Sequence, residues 1–249
     1  MISTSRAHAL TTVDSTVEVT VAEQGAGSPF LLLHGGGGPQ TVTGFAELLA
    51  RSRPARVIIP THPGFAGTPR PAALTSVGGL AALYVTLLDE MDLTDVTLVG
   101  NSIGGWITAE MALLQSPRVR AAVLADATGI EVPGHPVADF FSLTLDQVAQ
   151  LSYYDPDTFR IDPATLPPAV QAAMPGNRAS LAVYAGTTFT DPGLARRLPG
   201  ITVPTLVVWG EADRICDPDY GRAYAAAIPG AQPPGNARDG RRKSDANVH

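Results

Sequence analysis

The sequence predicts an α/β fold in which a mostly parallel sheet is flanked by helices and carries a helical insertion. Three observations lead there. Short apolar or β-branched runs alternate with helical patterns along the chain, an order that calls for parallel strands joined by right-handed crossovers. One such run, Val96-Thr97-Leu98-Val99, passes through Gly100-Asn101-Ser102-Ile103-Gly104 into an apolar helical pattern. Another, Phe30-Leu31-Leu32-Leu33, runs into His34 and four glycines, residues 35–38, closed by Pro39.

Taken in order, Val17, Val19 and Val21 alternate as an early antiparallel strand, and Leu31 to Leu33 form a buried one. An amphipathic segment around Phe45, Leu48 and Leu49 leads to a strand at Val57 to Ile59. Leu80, Leu83, Tyr84, Leu87 and Leu88 repeat at helical spacing ahead of the strand at 96–99. The helix opening at Ile103 extends to Leu114, followed by a strand at 119–124 and, much later, one at 205–209. Between Glu131 and Thr202 the texture changes to prolines, aromatics and short helical patterns, which reads as a lid over the carboxyl ends of the strands. The domain organisation is therefore core at 1–130, lid at 131–202, core again at 203–231 and a tail at 232–249.

A serine between strand and helix, with glycines two before and two after it, has the form of a nucleophile elbow: the turn lifts the hydroxyl clear of the sheet. Ser102 is the candidate nucleophile. The glycine loop leaves backbone N–H groups free to face a ligand, so the N–H of Gly36 and that of Ile103 are the candidate oxyanion hole. A phosphate-cradling role for the same loop is disfavoured, because no Gly-Lys-Ser/Thr follows. In chain order an acid follows the nucleophile. Asp213, after the strand ending at Trp209-Gly210, is the candidate, with Asp126 after the preceding strand as runner-up.

From about Val17 to about Ala231 the chain resembles the α/β-hydrolase superfamily. His34-Gly35-Gly36 is similar to its oxyanion loop, and Thr61-His62-Pro63-Gly64-Phe65-Ala66-Gly67-Thr68 to the loop after the next strand, from whose usual D-x-x-G-x-G-x-S His62 and Thr68 depart. Trp209-Gly210-Glu211-Ala212-Asp213 resembles the segment that carries the acid. The resemblance implies a serine hydrolase acting on a small, fairly apolar carboxylic ester or related acyl substrate, with no metal or organic cofactor. It also leaves open carbon–carbon hydrolysis of a diketone ring-cleavage product, and a non-catalytic member of the fold that binds a small molecule.

The histidine departs from the resemblance. After Ile228-Pro229-Gly230-Ala231 relatives have a last strand, a Gly-His and a covering helix, whereas this chain reads Gln232-Pro233-Pro234-Gly235-Asn236 and continues into a charged run to His249. Two prolines remove ladder donors, so the last strand and helix are predicted missing and the tail disordered, altered or cut short. Arg241 stands near the expected histidine and cannot serve as a base. His249 is the histidine downstream of Asp213, but a residue on such a tail is poorly held, so the base is left unassigned. His8 is placed in a mobile N-terminus, His34 and His62 in their loops, and His135 at the opening of the lid. Without its outer neighbour the strand at 205–209 becomes an edge, from which low stability and self-association are expected.

Composition fits an enzyme domain: 249 residues, 45% apolar and 16% charged, can bury one sizeable core. A net charge of −6 argues against nucleic acid or an anionic membrane as partner, leaving a small-molecule substrate. A single cysteine, Cys216, and an N-terminus without the apolar core of a signal peptide lead to the expectation of a cytoplasmic protein.

Overall fold

The computed structural model describes residues 4–11 and 16–237. In chain order the elements are β1 (Thr4–Thr11), β2 (Thr16–Gly25), β3 (Ser28–Leu33), α1 (Thr43–Ser52), β4 (Ala55–Pro60), α2 (Val77–Glu90), β5 (Val96–Asn101), α3 (Ile103–Leu113) and β6 (Val119–Ala125). They are followed by α4 (Leu145–Ser152), α5 (Pro156–Phe159), α6 (Pro168–Ala185), α7 (Leu194–Arg197), β7 (Thr205–Gly210), α8 (Pro218–Ala227) and β8 (Gln232–Ala237). The strands form one eight-stranded sheet in the order β1-β2-β4-β3-β5-β6-β7-β8. β1 and β2 run antiparallel, and every pair from β4 to β8 is parallel.

Register decides which side chains share a face. Leu31 lies opposite Leu98, Leu98 opposite Ala122, and Leu124 opposite Val207, so these residues and Trp209 point the same way. They pack into one core with α2, α3 and α8, where the Trp209 ring lies against Tyr220 and Tyr224. Helix α3 is buried from Ile103 to Ala112, which matches its lack of a polar stripe. The other face is covered by α1, with Ala46 against Leu32, Val57 and Ile59. Toward β7 that face is thinner among the described residues, and Leu206 is 37% exposed.

Helix termini follow local chemistry. Ser76 caps α2 by accepting the Gly79 N–H, and Asp217 caps α8 by accepting the Tyr220 N–H, with Pro218 in the first turn. The segment between β6 and β7 is helical, and its end is fastened to the core: Arg197 grips Glu110 of α3 at 2.6 and 2.7 Å, while the Trp106 indole donates to the same carboxylate.

Two expectations are corrected. The last strand is present: β8 pairs in parallel with β7 along Gln232–Ala237, so residues 232–237 are not a disordered tail and β7 is not an edge. The prolines are tolerated because β8 is the outermost strand, paired on one side, and because the register shifts between Leu206 and Val208. His8 is likewise not in a mobile N-terminus; it sits in β1 opposite Val19. The position of the covering helix that the sequence predicts missing, together with Arg241 and His249, lies outside the described residues.

Candidate active site

Ser102 stands between β5 and α3 at φ 57°, ψ −121°, a conformation that a side-chain-bearing residue adopts only under constraint. The glycines around it supply that constraint. A Cβ on Gly100 would lie 2.0 Å from the Gly104 carbonyl oxygen, and one on Gly104 would lie 2.2 Å from the Leu33 oxygen. The first turn of α3 is thereby pressed onto the ends of β5 and β3. The Thr108 hydroxyl donates to the Gly104 carbonyl and closes the approach at 2.9 Å.

The glycine loop lies against this turn. A Cβ on Gly35 would sit 3.4 Å from the Ser102 Cβ, and the Gly38 N–H donates to the Gly35 oxygen at 3.2 Å, closing a tight turn. The N–H groups of Gly36 and Ile103 find no acceptor among the described residues. Above Gly36 stands Leu181 of α6, whose Cδ2 is 2.7 Å from where a Gly36 Cβ would be.

His34 and His62 support the loop from below. Both are fully buried and their rings stack at 3.7 Å. The His62 N–H donates to His34 Nε2 at 3.1 Å, so His34 carries its proton on Nδ1 and gives it to the Gly35 oxygen at 2.8 Å. His62 Nε2 donates to the His34 oxygen and its Nδ1 accepts from the Tyr84 hydroxyl at 2.5 Å. Burial lowers His34 to about 4 and pushes His62 well below its usual value, so both rings are neutral struts, with no nitrogen left for a serine.

Asp213 and Asp126 flank Gly210. Asp126, itself at φ 45°, accepts the Gly210 N–H at 2.8 Å; Asp213 Oδ1 accepts the N–H groups of Ile215 at 2.8 Å and Cys216 at 3.3 Å. Asp213 Oδ2 accepts nothing among the described residues. Burial, and then the Asp126 carboxylate, push the Asp213 carboxyl up to about 7, and burial raises Asp126 as well. Sequence reasoning treated these acids as alternatives; the structure brings them together at the ends of adjacent strands. No histidine is bonded to either among the described residues. His135 Nδ1–H donates to the Asp217 carboxylate at 2.7 Å, and with Asp219 it brings ligand-type atoms within 4.8 Å, though Asp217 also caps α8 and Asp219 also binds Arg222.

The contribution of α6 was not legible in the sequence. Asn177, Ser180 and Tyr184 share one helical face: Asn177 Oδ1 accepts the Ala66 N–H, and the hydroxyls of Ser180 and Tyr184 donate to the oxygens of Gly64 and Pro63. The insertion is thus bonded to the loop after β4, beside the glycine turn.

Residues 30–239 match the model of the alpha/beta hydrolase family. A 2-hydroxymuconate semialdehyde hydrolase of Pseudomonas putida is 30% identical over 84% of this chain and 79% of its own length. A 2-hydroxy-6-oxo-2,4-heptadienoate hydrolase of Pseudomonas putida is 34% identical over 55% of this chain, a match that spans 58% of that protein. Lipase 1 of Psychrobacter immobilis is 28% identical over 89% of this chain and 74% of its own. Among solved structures, a thermophilic esterase of Thermogutta terrifontis superposes with a TM-score of 0.72 at 22% identity, covering 92% of this chain and 88% of that one. The chain belongs to the alpha/beta hydrolase family and is a hydrolase of that fold.

Proposed function

We propose that the protein hydrolyses a small, fairly apolar carboxylic ester or related acyl substrate through an acyl-enzyme on Ser102. The observation that carries this reading is the strained backbone of Ser102 beside two N–H groups, of Gly36 and Ile103, that find no acceptor among the described residues. Ser102 Oγ attacks the acyl carbon, the carbonyl oxygen gains charge between those N–H groups, and expulsion of the alcohol leaves the acyl-serine for water to cleave. Asp213, whose Oδ2 accepts nothing among the described residues, is the acid that would orient and stabilise the base taking the serine proton. The base itself is left unassigned. The insertion at 131–202 serves as the lid.

Carbon–carbon hydrolysis of a diketone by the same serine is the second reading, favoured by the relatives whose names describe hydroxy-oxo-dienoate hydrolases. A fluorophosphonate labelling experiment tests the common step. Wild-type protein is expected to be labelled at Ser102 and to cleave short p-nitrophenyl esters, and Ser102→Ala to do neither. Turnover that survives the substitution would overturn the nucleophile assignment, and an unlabelled wild type would favour a non-catalytic binding protein.

A further inference from the structure

Between α6, the loop after β4 and Gln40 lies a cleft of about 110 Å³, lined by Gln40, Ala66, Ala169, Val170, Ala173 and Asn177. None of these side chains carries a charge. Ala169, Val170 and Ala173 offer only methyl groups along one side of α6. The Gln40 amide is folded back, with Nε2 donating to the Gly37 oxygen at 2.6 Å. Arg70 turns its guanidinium to the carbonyl oxygens of Pro71 and Leu74 instead.

Asn177 is the exception to this quiet lining. Its side chain is nearly buried, at 4% exposure, and its Oδ1 is held by the Ala66 N–H at 2.8 Å, which fixes the amide plane. The Nδ2 group stands 3.2 Å from where a Gly38 Cβ would be and has no acceptor among the described residues. That donor is open to solvent rather than sealed off, so a bound molecule that displaces water there leaves it unpaired unless it brings an acceptor of its own. The site lies close to the nucleophile. The hydrogen-bonded turn from Gly35 to Gly38 spans less than about 7 Å, and Gly35 touches Ser102.

We propose that this cleft is the acyl-chain subsite of the hydrolase and that it takes a short, uncharged chain bearing a hydrogen-bond acceptor, such as a keto oxygen, which Asn177 Nδ2–H recognises. The inference rests on the Ser102 reading for its location. An alkyl chain fills the alanine wall but leaves the amide unpaired, while a chain ending in carboxylate loses water there with no cation among the lining residues.

Four p-nitrophenyl esters separate these cases: acetate, pentanoate, 4-oxopentanoate and the hemisuccinate, the last two nearly isosteric. The expected order of kcat/KM is 4-oxopentanoate above pentanoate above hemisuccinate, with the keto ester ahead of the alkyl ester by about tenfold, the worth of one hydrogen bond. Asn177→Asp keeps the acceptor for the Ala66 N–H and removes the donor, and should erase the keto preference. Ala173→Phe fills the cleft and should lower the ratio of five-carbon to acetate turnover by at least about tenfold. Independently of turnover, ¹⁵N-labelled Ser102→Ala protein is titrated with methyl 4-oxopentanoate. The Asn177 side-chain amide signals, identified by their loss in Asn177→Asp, should shift, and should shift less with methyl pentanoate. Ser102-dependent hydrolysis with an unchanged keto preference in Asn177→Asp and a stationary amide would overturn the subsite alone. A shifting amide in a protein that cleaves no ester would uphold the subsite and sink the hydrolase reading.

Discussion

Asp213→Asn should make the protein more stable at pH 8 while abolishing hydrolysis. The wild-type carboxyl is moved from its ordinary 3.8 to about 7 by burial and by the Asp126 charge. Because the folded-state value lies above the unfolded one, the native protein keeps a proton that the unfolded chain releases between those two values. The cost is complete above pH 7, where it amounts to about 4 kcal/mol, and fades as pH falls, leaving about 2 kcal/mol at pH 5. Asparagine keeps an Oδ1 for the N–H groups of Ile215 and Cys216, so the loop is preserved as the charge is removed. Urea denaturation of wild type and variant at pH 8 and pH 5 measures this directly. The variant should lead by about 2–4 kcal/mol at pH 8, and the lead should shrink on acidification. A variant no more stable than wild type at pH 8 would refute the reasoning. It would mean that a cation, such as a protonated base, stands beside Asp213 in the whole protein and holds it ionised.

The stacked histidines oppose this trend: His34, lowered to about 4, and His62, lowered in the same sense, must be neutral in the fold, so their contribution is complete above 6.5 and is lost as pH falls. In the Asp213→Asn background, where the carboxyl no longer masks it, His34 alone should cost about 2 kcal/mol between pH 8 and pH 5 by urea denaturation; a flat profile would show that the rings are solvated. Glycine substitutions should split by site. Gly104→Ala, with its Cβ 2.2 Å from the Leu33 oxygen, should destabilise the elbow by at least about 3 kcal/mol and abolish labelling of Ser102. Gly78→Ala, exposed in α2 with nothing within 4 Å, should instead raise stability by about 0.5–1 kcal/mol, as read from the melting temperature.

What the sequence determined by itself was local or periodic. The order of strands and helices, the elbow at Ser102 and the glycine loop were legible because each depends on residues within a few positions of one another. Two edge strands were not. β1 is paired on one side and mostly solvated, so Thr4–Thr11 carries no apolar alternation to announce it. Pro233 and Pro234 argued against a strand, since proline cannot donate to a ladder. Only the place of β8 at the rim of the sheet makes that loss affordable. The tertiary structure alone decided three features of the candidate site. Asp126 and Asp213, which compete as acids when read along the chain, become neighbours because β6 and β7 are adjacent and end at the same level. His34 and His62 lose their chemistry because burial keeps them neutral and commits every ring nitrogen to the scaffold. The face of α6 that meets the loop after β4 is built from contacts between residues more than a hundred positions apart, and no local pattern of propensity or spacing encodes which loop a helix will find.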